Sequence, residues 1–338
     1  MKVRGVSTVV DATLALLLVS ASVFVVAFFL ADDRPETNPG ASDHVAEAVS
    51  VSTANVSYSL EPIVGHVDDV DFRDETYDEG VFRRQRHGSV AELIASSAML
   101  NVTIEGRQLT KEGAVYSDAV EGALMEALTG TGYSAYVTAR WQPYEGASIT
   151  ATETYGSPPP GDANVQLATL RVPSGVDPVA EAAEAEYMES YADGHEQAAG
   201  VLAEVIVERY FPASETQAAI EGQWFRRDLT LYRYLRLKAI LNELDDGAGL
   251  IDSDDTYHNL DPDDEGNALS RNGANATKAN AYLARGADGV TDFAGGADGL
   301  KQTIGADLEE RYPDDEMASF ADTSSIEDVV VTIRVWER

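Results

Sequence analysis

Two short patterns in this chain carry side chains suited to holding a metal, and each is incomplete. His195-Glu-Gln-Ala-Ala begins like a zincin helix, in which two histidines four residues apart share one face and hold zinc. Position 199 is Ala, so the second ligand is missing and His195 reads as an exposed helix residue. Asp261-Pro-Asp263-Asp-Glu265-Gly266 matches the first half of a calcium loop, with carboxylates at alternate positions and Gly at the turn. Its twelfth position is Asn272, where a bidentate Glu is needed. Asp252, Asp254 and Asp255 lie close by. Asp261, Asp263 and Glu265 are therefore the candidate metal ligands, for calcium, and no other cofactor is expected.

Other chemistries lack their residues. The chain has no cysteine, which removes thiolate catalysis, disulfides and Cys-ligated metals. It has no Gly-x-Ser-x-Gly, P-loop, Ser-x-x-Lys or dinucleotide fingerprint. An ectodomain hydrolase is thus the weakest functional reading, and the chain is not expected to be an enzyme. Gly-Ala-Asp recurs at 286–288, 296–298 and 305–307, which reads as small residues where helices pack closely. Trp224-Phe225-Arg226-Arg227, followed by Tyr232, Tyr234 and Arg236, is either a partner-binding face or core with arginines paired to surrounding acids.

There are 58 acidic and 24 basic residues, a net charge of −34. Only five of the basic residues are Lys and nineteen are Arg. Such charge repels itself in dilute salt and is screened at molar salt, where the Debye length falls to ~3 Å. Spread along the chain, it reads as adaptation to high salt, with cation binding or a basic partner as the alternative. It argues against nucleic acid, whose phosphates need a basic patch.

The positioning elements follow from local patterns. Asp32 to Asp43 is rich in Pro, Gly and charge and reads as a linker. A strand is expected within Val49–Val64, a charged loop over Asp68–Arg86, and a helix from the Ser89-Val-Ala-Glu92 capping box to Leu100. Asn101-Val-Thr-Ile reads as a strand, and Asp118-Ala-Val-Glu121 reads as a second helix start. Tyr133–Trp141, Ala147–Tyr155 and Ala163–Val172 read as an antiparallel meander. Long helices are expected from Asp177 to Phe211, from the Ser214-Glu-Thr-Gln217 box to Leu244, and over Ala276–Tyr312. The acidic stretch Asp245–Gly266 reads as a loop between them. Val329–Trp336 is a closing strand that slots into the sheet.

Residues Ala12 to Ala31 form an almost unbroken apolar run, matching the ~20 residues that cross a ~30 Å hydrocarbon layer as a helix. Lys2 and Arg4 precede it, and Asp32, Asp33 and Glu36 follow. Basic flanks stay inside, so the body is expected outside the cell. Asn55, Asn101 and Asn275 head three sequons that could take glycans there. The expected fold class is α+β: a single N-terminal transmembrane helix, then an extracellular domain with an antiparallel sheet and several long helices. The expected divisions are a leader at 1–5, the helix at 6–31, a linker at 32–48 and the acidic domain at 49–338.

Arg4-Gly5-Val6-Ser7-Thr8, then Asp11, then the apolar run, resembles the processing signal of archaeal type IV pilin-like proteins. The resemblance covers about the first thirty residues. It implies a cut between Gly5 and Val6, and a helix that packs with those of other subunits, with Asp11 as its assembly acid. The acid sits at the sixth mature position, where many type IV pilins have it at the fifth. The layout also looks like the haloarchaeal membrane-anchored proteins associated with Tad-like pilus machinery. The expected role is a cell-surface assembly protein, minor pilin-like or pseudopilin-like, with other pilin-like subunits or the pilus machinery and the membrane as partners. A bitopic binding or adhesion protein outside any filament is the alternative. An uncut signal anchor and a secretory signal cut near Ala31 are the rival readings of the N-terminus.

Overall fold

Ser89 starts the helix around which the body is arranged. Its Oγ accepts from the Glu92 amide at 3.2 Å, and Glu92 Oε2 accepts from the Ser89 amide at 2.8 Å. This reciprocal capping satisfies donors that the first helical turn leaves without partners. The helix it opens, Val90–Leu100, buries Val90, Leu93, Ile94 and Ala98 among others. It therefore runs through the interior and not along the surface.

The computed structural model describes residues 40–64, 79–176, 195–222, 225–244, 269, 274–286, 299–312 and 326–337. The chain divides into two units, Met1–Ala41 and Ser42–Arg338, and the architecture that follows is that of the second. Its strands are β1 (Thr53–Ser59), β2 (Arg83–Ser89), β3 (Val102–Ile104), β4 (Arg107–Gln108), β5 (Tyr133–Trp141), β6 (Ile149–Tyr155), β7 (Gln166–Pro173) and β8 (Asp328–Glu337). The helices are α1 (Ala41–Val51), α2 (Val90–Leu100), α3 (Glu112–Ala127), α4 (His195–Tyr210), α5 (Ala213–Glu221), α6 (Phe225–Leu244), α7 (Ala276–Arg285) and α8 (Leu300–Arg311), with a single turn at Glu61–Val64.

Strands β3 to β8 form one antiparallel sheet in the order β4-β3-β6-β5-β8-β7, and β1 pairs with β2 separately. Alternation divides the large sheet into two faces. Val137, Ala139, Trp141, Val331, Ile333 and Val335 are buried on one, where α2 packs. The other is polar: Thr154, Thr138, Thr332 and Thr169 stand in register across four strands. Trp141 Nε1 donates to the Ile326 carbonyl at 2.7 Å and ties β5 to the approach of β8. Helices α4 to α8 pack mainly on one another, and Gly305 of α8 lies against Ala199 of α4.

Several expectations are corrected. The fold class was to include a transmembrane helix, but no helix among the described residues is long and apolar enough to cross a membrane. The longest of them, α6, has 20 residues but carries Arg226, Arg227, Asp228, Arg233, Arg236 and Lys238, charges that hydrocarbon does not tolerate. The run at 12–31 lies outside the described residues. Helix α1 occupies part of the expected linker. Helix α3 begins at Glu112, so Asp118 lies in its interior and caps nothing at its start. The helix expected from Ser214 is two, α5 and α6, and Pro212 precedes the first without a side-chain cap. Strand β7 pairs with β8 and not with β6, so the meander is interrupted by the C-terminal strand. Part of the expected charged loop is strand β2, Arg-Arg-Gln-Arg-His-Gly-Ser, which is held in register by β1.

Candidate functional site

Three separate segments bring arginines to one place. In β2, the two-residue period puts Arg84 and Arg86 on the same face. In α6, Arg226, Thr230 and Arg233 are spaced by four and three and share a helix face. Arg209 lies in the last turn of α4, where a cation complements the free carbonyls of the helix end. All five arginines line one cavity of about 490 Å3. They are five of the nineteen arginines in a chain of net charge −34.

Each guanidinium is held differently. Arg233 grips Glu112 through two bonds, Nε to Oε1 at 2.8 Å and Nη2 to Oε2 at 2.6 Å. Glu112 is only 2% exposed, so this fork neutralises a buried carboxylate. Burial opposes the Arg233 cation, but the adjacent Glu112 charge outweighs it and holds its pKa above the ordinary value. Arg84 Nη1 donates to the carbonyls of Val81 and Arg83, at 2.7 and 3.0 Å. Its guanidinium sits 5.4 Å from the Phe225 ring centre. Arg86 sits 5.5 Å from the Tyr116 ring centre. Burial raises the Tyr116 phenol to about 12, against the pull of the Arg86 charge. Arg209 Nε donates to the Ser174 carbonyl at 3.2 Å. Gly175 permits this: its φ is +72°, and a Cβ there would come within 3.0 Å of the Arg209 guanidinium. Arg226 is exposed.

Among the described residues, no carboxylate forms an ion pair with Arg84, Arg86, Arg209 or Arg226. The hydroxyls of Thr110 and Thr230 on the cavity wall are turned to backbone carbonyls, those of Leu100 and Arg226, each at 3.0 Å. Met99, Leu109, Phe211 and Leu229 supply apolar surface. What the walls offer is recognition of a negative group with an apolar neighbour.

A second polar centre joins the sheet to α8. Asp307 Oδ2 accepts from Tyr144 Oη at 2.7 Å and from the Ser148 amide at 2.9 Å, and Oδ1 accepts from Arg311 Nε at 2.7 Å. Burial acts to raise the Asp307 pKa, but the bonds from Arg311, Ser148 and Tyr144 prevail and lower it. Burial, then the bond to Asp307, raises that of Tyr144. A third centre surrounds Glu153. Asn101 Nδ2 donates to it, to Ser117 Oγ at 3.1 Å and to the Ser97 carbonyl at 3.2 Å.

The residues singled out from sequence fall partly outside the described part of the chain. Gly5, Val6, Asp11, Asp261, Asp263 and Glu265 lie outside the described residues. Among the described residues, no group of three or more His, Asp and Glu could hold a metal. His195 is half-buried, not exposed, with Nε2 2.5 Å from the Tyr312 carbonyl. Asn55 is exposed on β1. Asn275 caps α7, accepting from the Lys278 amide at 2.9 Å, which leaves its amide nitrogen outside that bond. Asn101 is half-buried with its amide nitrogen committed to three acceptors. The Cβ of any other residue at Gly113 would collide with the Asn101 side chain.

Arg84, Arg86, Arg209 and Arg233 were not anticipated as a group. The available signal was local density. Arg83, Arg84 and Arg86, with Arg226, Arg227, Arg233 and Arg236, place seven of nineteen arginines in two short stretches.

The profile of DUF7284, a family of unknown function, matches residues 10–336, and the chain belongs to that family. No curated protein and no solved structure matches it.

Proposed function

We propose that this member of DUF7284 is a structural or assembly protein of the cell surface, a minor pilin-like component whose work is interaction and not catalysis. The observation that carries the reading is the start of the chain. Arg4-Gly5 precedes Val6-Ser-Thr-Val-Val-Asp11 and an apolar run, in the arrangement of pilin-like proteins that are cut after the Gly. The freed amine of one subunit would be a natural partner for Asp11 of another, since an acid beside an apolar segment is costly unless paired. The partners under this reading are other pilin-like subunits. The body is compatible with such a role: its candidate site is lined by hydrogen-bond donors and apolar side chains.

Intact mass of the protein isolated from its native cells tests the reading. Loss of Met1 to Gly5 is the expected result, and Gly5→Val should abolish it. A native protein that keeps all five residues would overturn filament membership. A second reading, a surface binding or adhesion protein that joins no filament, is favoured by the arginine-lined cavity. It would stand alone if the leader were intact and the cavity occupied.

A further inference from the structure

We infer that the arginine-lined cavity is a binding site for a small polyanion, one that carries at least two phosphate or carboxylate groups beside an apolar portion. The inference goes beyond the assembly role and does not depend on processing at Gly5.

The charge balance is the first argument. Among the described residues, Arg233 alone of the five guanidiniums is neutralised by a carboxylate, Glu112. Among the described residues, Glu215 is the one acidic residue on the wall, and it is within ion-pair distance of none of the five arginines. Four like charges gathered in one cleft repel one another, in a chain with acids to spare for every arginine. An anion relieves that repulsion.

The donor balance is the second argument. A guanidinium carries five N–H donors. Arg84 commits Nη1, and Arg209 commits Nε. Arg86 and Arg226 donate no side-chain bond among the described residues. The bonds of Arg84 and Arg209 fix those two side chains by one edge and leave their remaining edges, with the donors of Arg86 and Arg226, for a ligand. The planar fork that remains matches the spacing of carboxylate and phosphate oxygens. A purely structural role is met at Arg233, which spends both Nε and Nη2 on Glu112. The others do not follow that pattern.

Size and surroundings set the ligand class. A volume of about 490 Å3 falls within the ~300–1,000 Å3 of small-molecule sites. A nucleic acid would meet the field of a chain of net charge −34 beyond the cavity. A compact polyanion confined to the cavity meets mainly the arginines. Met99, Leu109, Phe211 and Leu229 give its apolar part a surface.

The test is calorimetric titration of the full chain with tripolyphosphate and, separately, with citrate, at two KCl concentrations that both keep it folded. One-to-one binding of at least one anion is expected, weaker at the higher salt. The double variant Arg86→Gln/Arg226→Gln should lose at least tenfold in affinity. Arg171→Gln/Arg334→Gln removes the same charge from the polar face of the sheet and should lose less than twofold. Which probe binds more tightly separates phosphate from carboxylate. If neither anion binds, or if the two double variants lose affinity equally, the inference falls. A readout on the wild-type chain guards against a variant that fails to fold. The bound anion should slow modification of Arg86, Arg209 and Arg226 by phenylglyoxal, resolved by peptide mass, relative to Arg171. Equal modification with and without the anion would also overturn it.

Discussion

Asp307 and Glu112 are both buried carboxylates gripped by an arginine, yet they sit in opposite surroundings. At Asp307 the surrounding donors converge on the acid: a phenol, a backbone amide and one guanidinium share its two oxygens. The centre is closed, and its effect is to tie the β5–β6 connection to α8. At Glu112 the numbers reverse. One acid meets one arginine by two bonds, and four more arginines line the cavity with no ion pair to an acid among the described residues. An ion pair alone therefore says little about function. The excess beside it distinguishes a joint that is complete from a site that invites an anion.

Glu112→Gln presses hardest on that contrast. It keeps the shape of the side chain but leaves Arg233 half-buried without its counter-charge. A broken buried pair costs about 3–5 kcal/mol, and the 31% side-chain exposure of Arg233 places the expected loss at about 3 kcal/mol in urea unfolding. The same variant adds net positive charge to the cavity, so its affinity for tripolyphosphate or citrate should rise while its stability falls. A variant that loses stability and anion affinity together would make Glu112 part of the ligand site and dissolve the distinction.

Asp307→Asn should affect stability alone. Bonds to a charged group contribute about 1.5–3 kcal/mol each; Asn keeps an acceptor for Tyr144 and the Ser148 amide, so a loss of about 2 kcal/mol is expected with anion binding unchanged. The pH dependence has a definite sign. The Asp307 pKa is lowered on folding, so its contribution is present above the ordinary aspartate value of ~4 and fades as pH falls through the folded value. Acid unfolding curves of wild type and variant should converge below that point. A constant gap down to low pH would mean that packing, not charge, holds this joint.

The elements that rest on local rules were legible. Alternation marks Val137, Ala139 and Trp141 as the inner face of β5, and Ser89 with Glu92 announces α2. Pairing was not legible, because nothing local tells β7 to choose β8 over β6. Strand β2 has no apolar alternation, and it is a strand because β1 supplies the ladder. The start of α3 is set by tertiary contacts, with Glu112 reaching Arg233 and Gly113 lying against Asn101. The cavity failed for the same reason. Its arginines lie as far apart in sequence as Arg84 and Arg233, and only the fold brings them together. In sequence Asp307 belongs to a recurring Gly-Ala-Asp triplet, and at this copy Gly305 lies against Ala199. Its role as a joint needs Tyr144, which lies 163 residues earlier in the chain.

Glu153 extends the comparison to a carboxylate with no arginine at all. Burial raises its pKa, and nearby Asp118 adds to the rise, against the bonds from Ser117, the Thr154 amide and Asn101. The sign is therefore opposite to that of Asp307. The folded state holds the proton more tightly than the unfolded chain, so stability grows as pH falls through the raised value, and the ionised group is a standing cost above it. Glu153→Gln removes the charge and keeps an oxygen for Asn101, so at pH 7 it should stabilise the protein. The gain should stay below about 1 kcal/mol, because the group is only half-buried and solvent screens it. It should vanish as the wild-type group becomes protonated. A loss of stability at pH 7 would show that the three donors outweigh desolvation, and that a cation is not what separates the two kinds of buried acid in this fold.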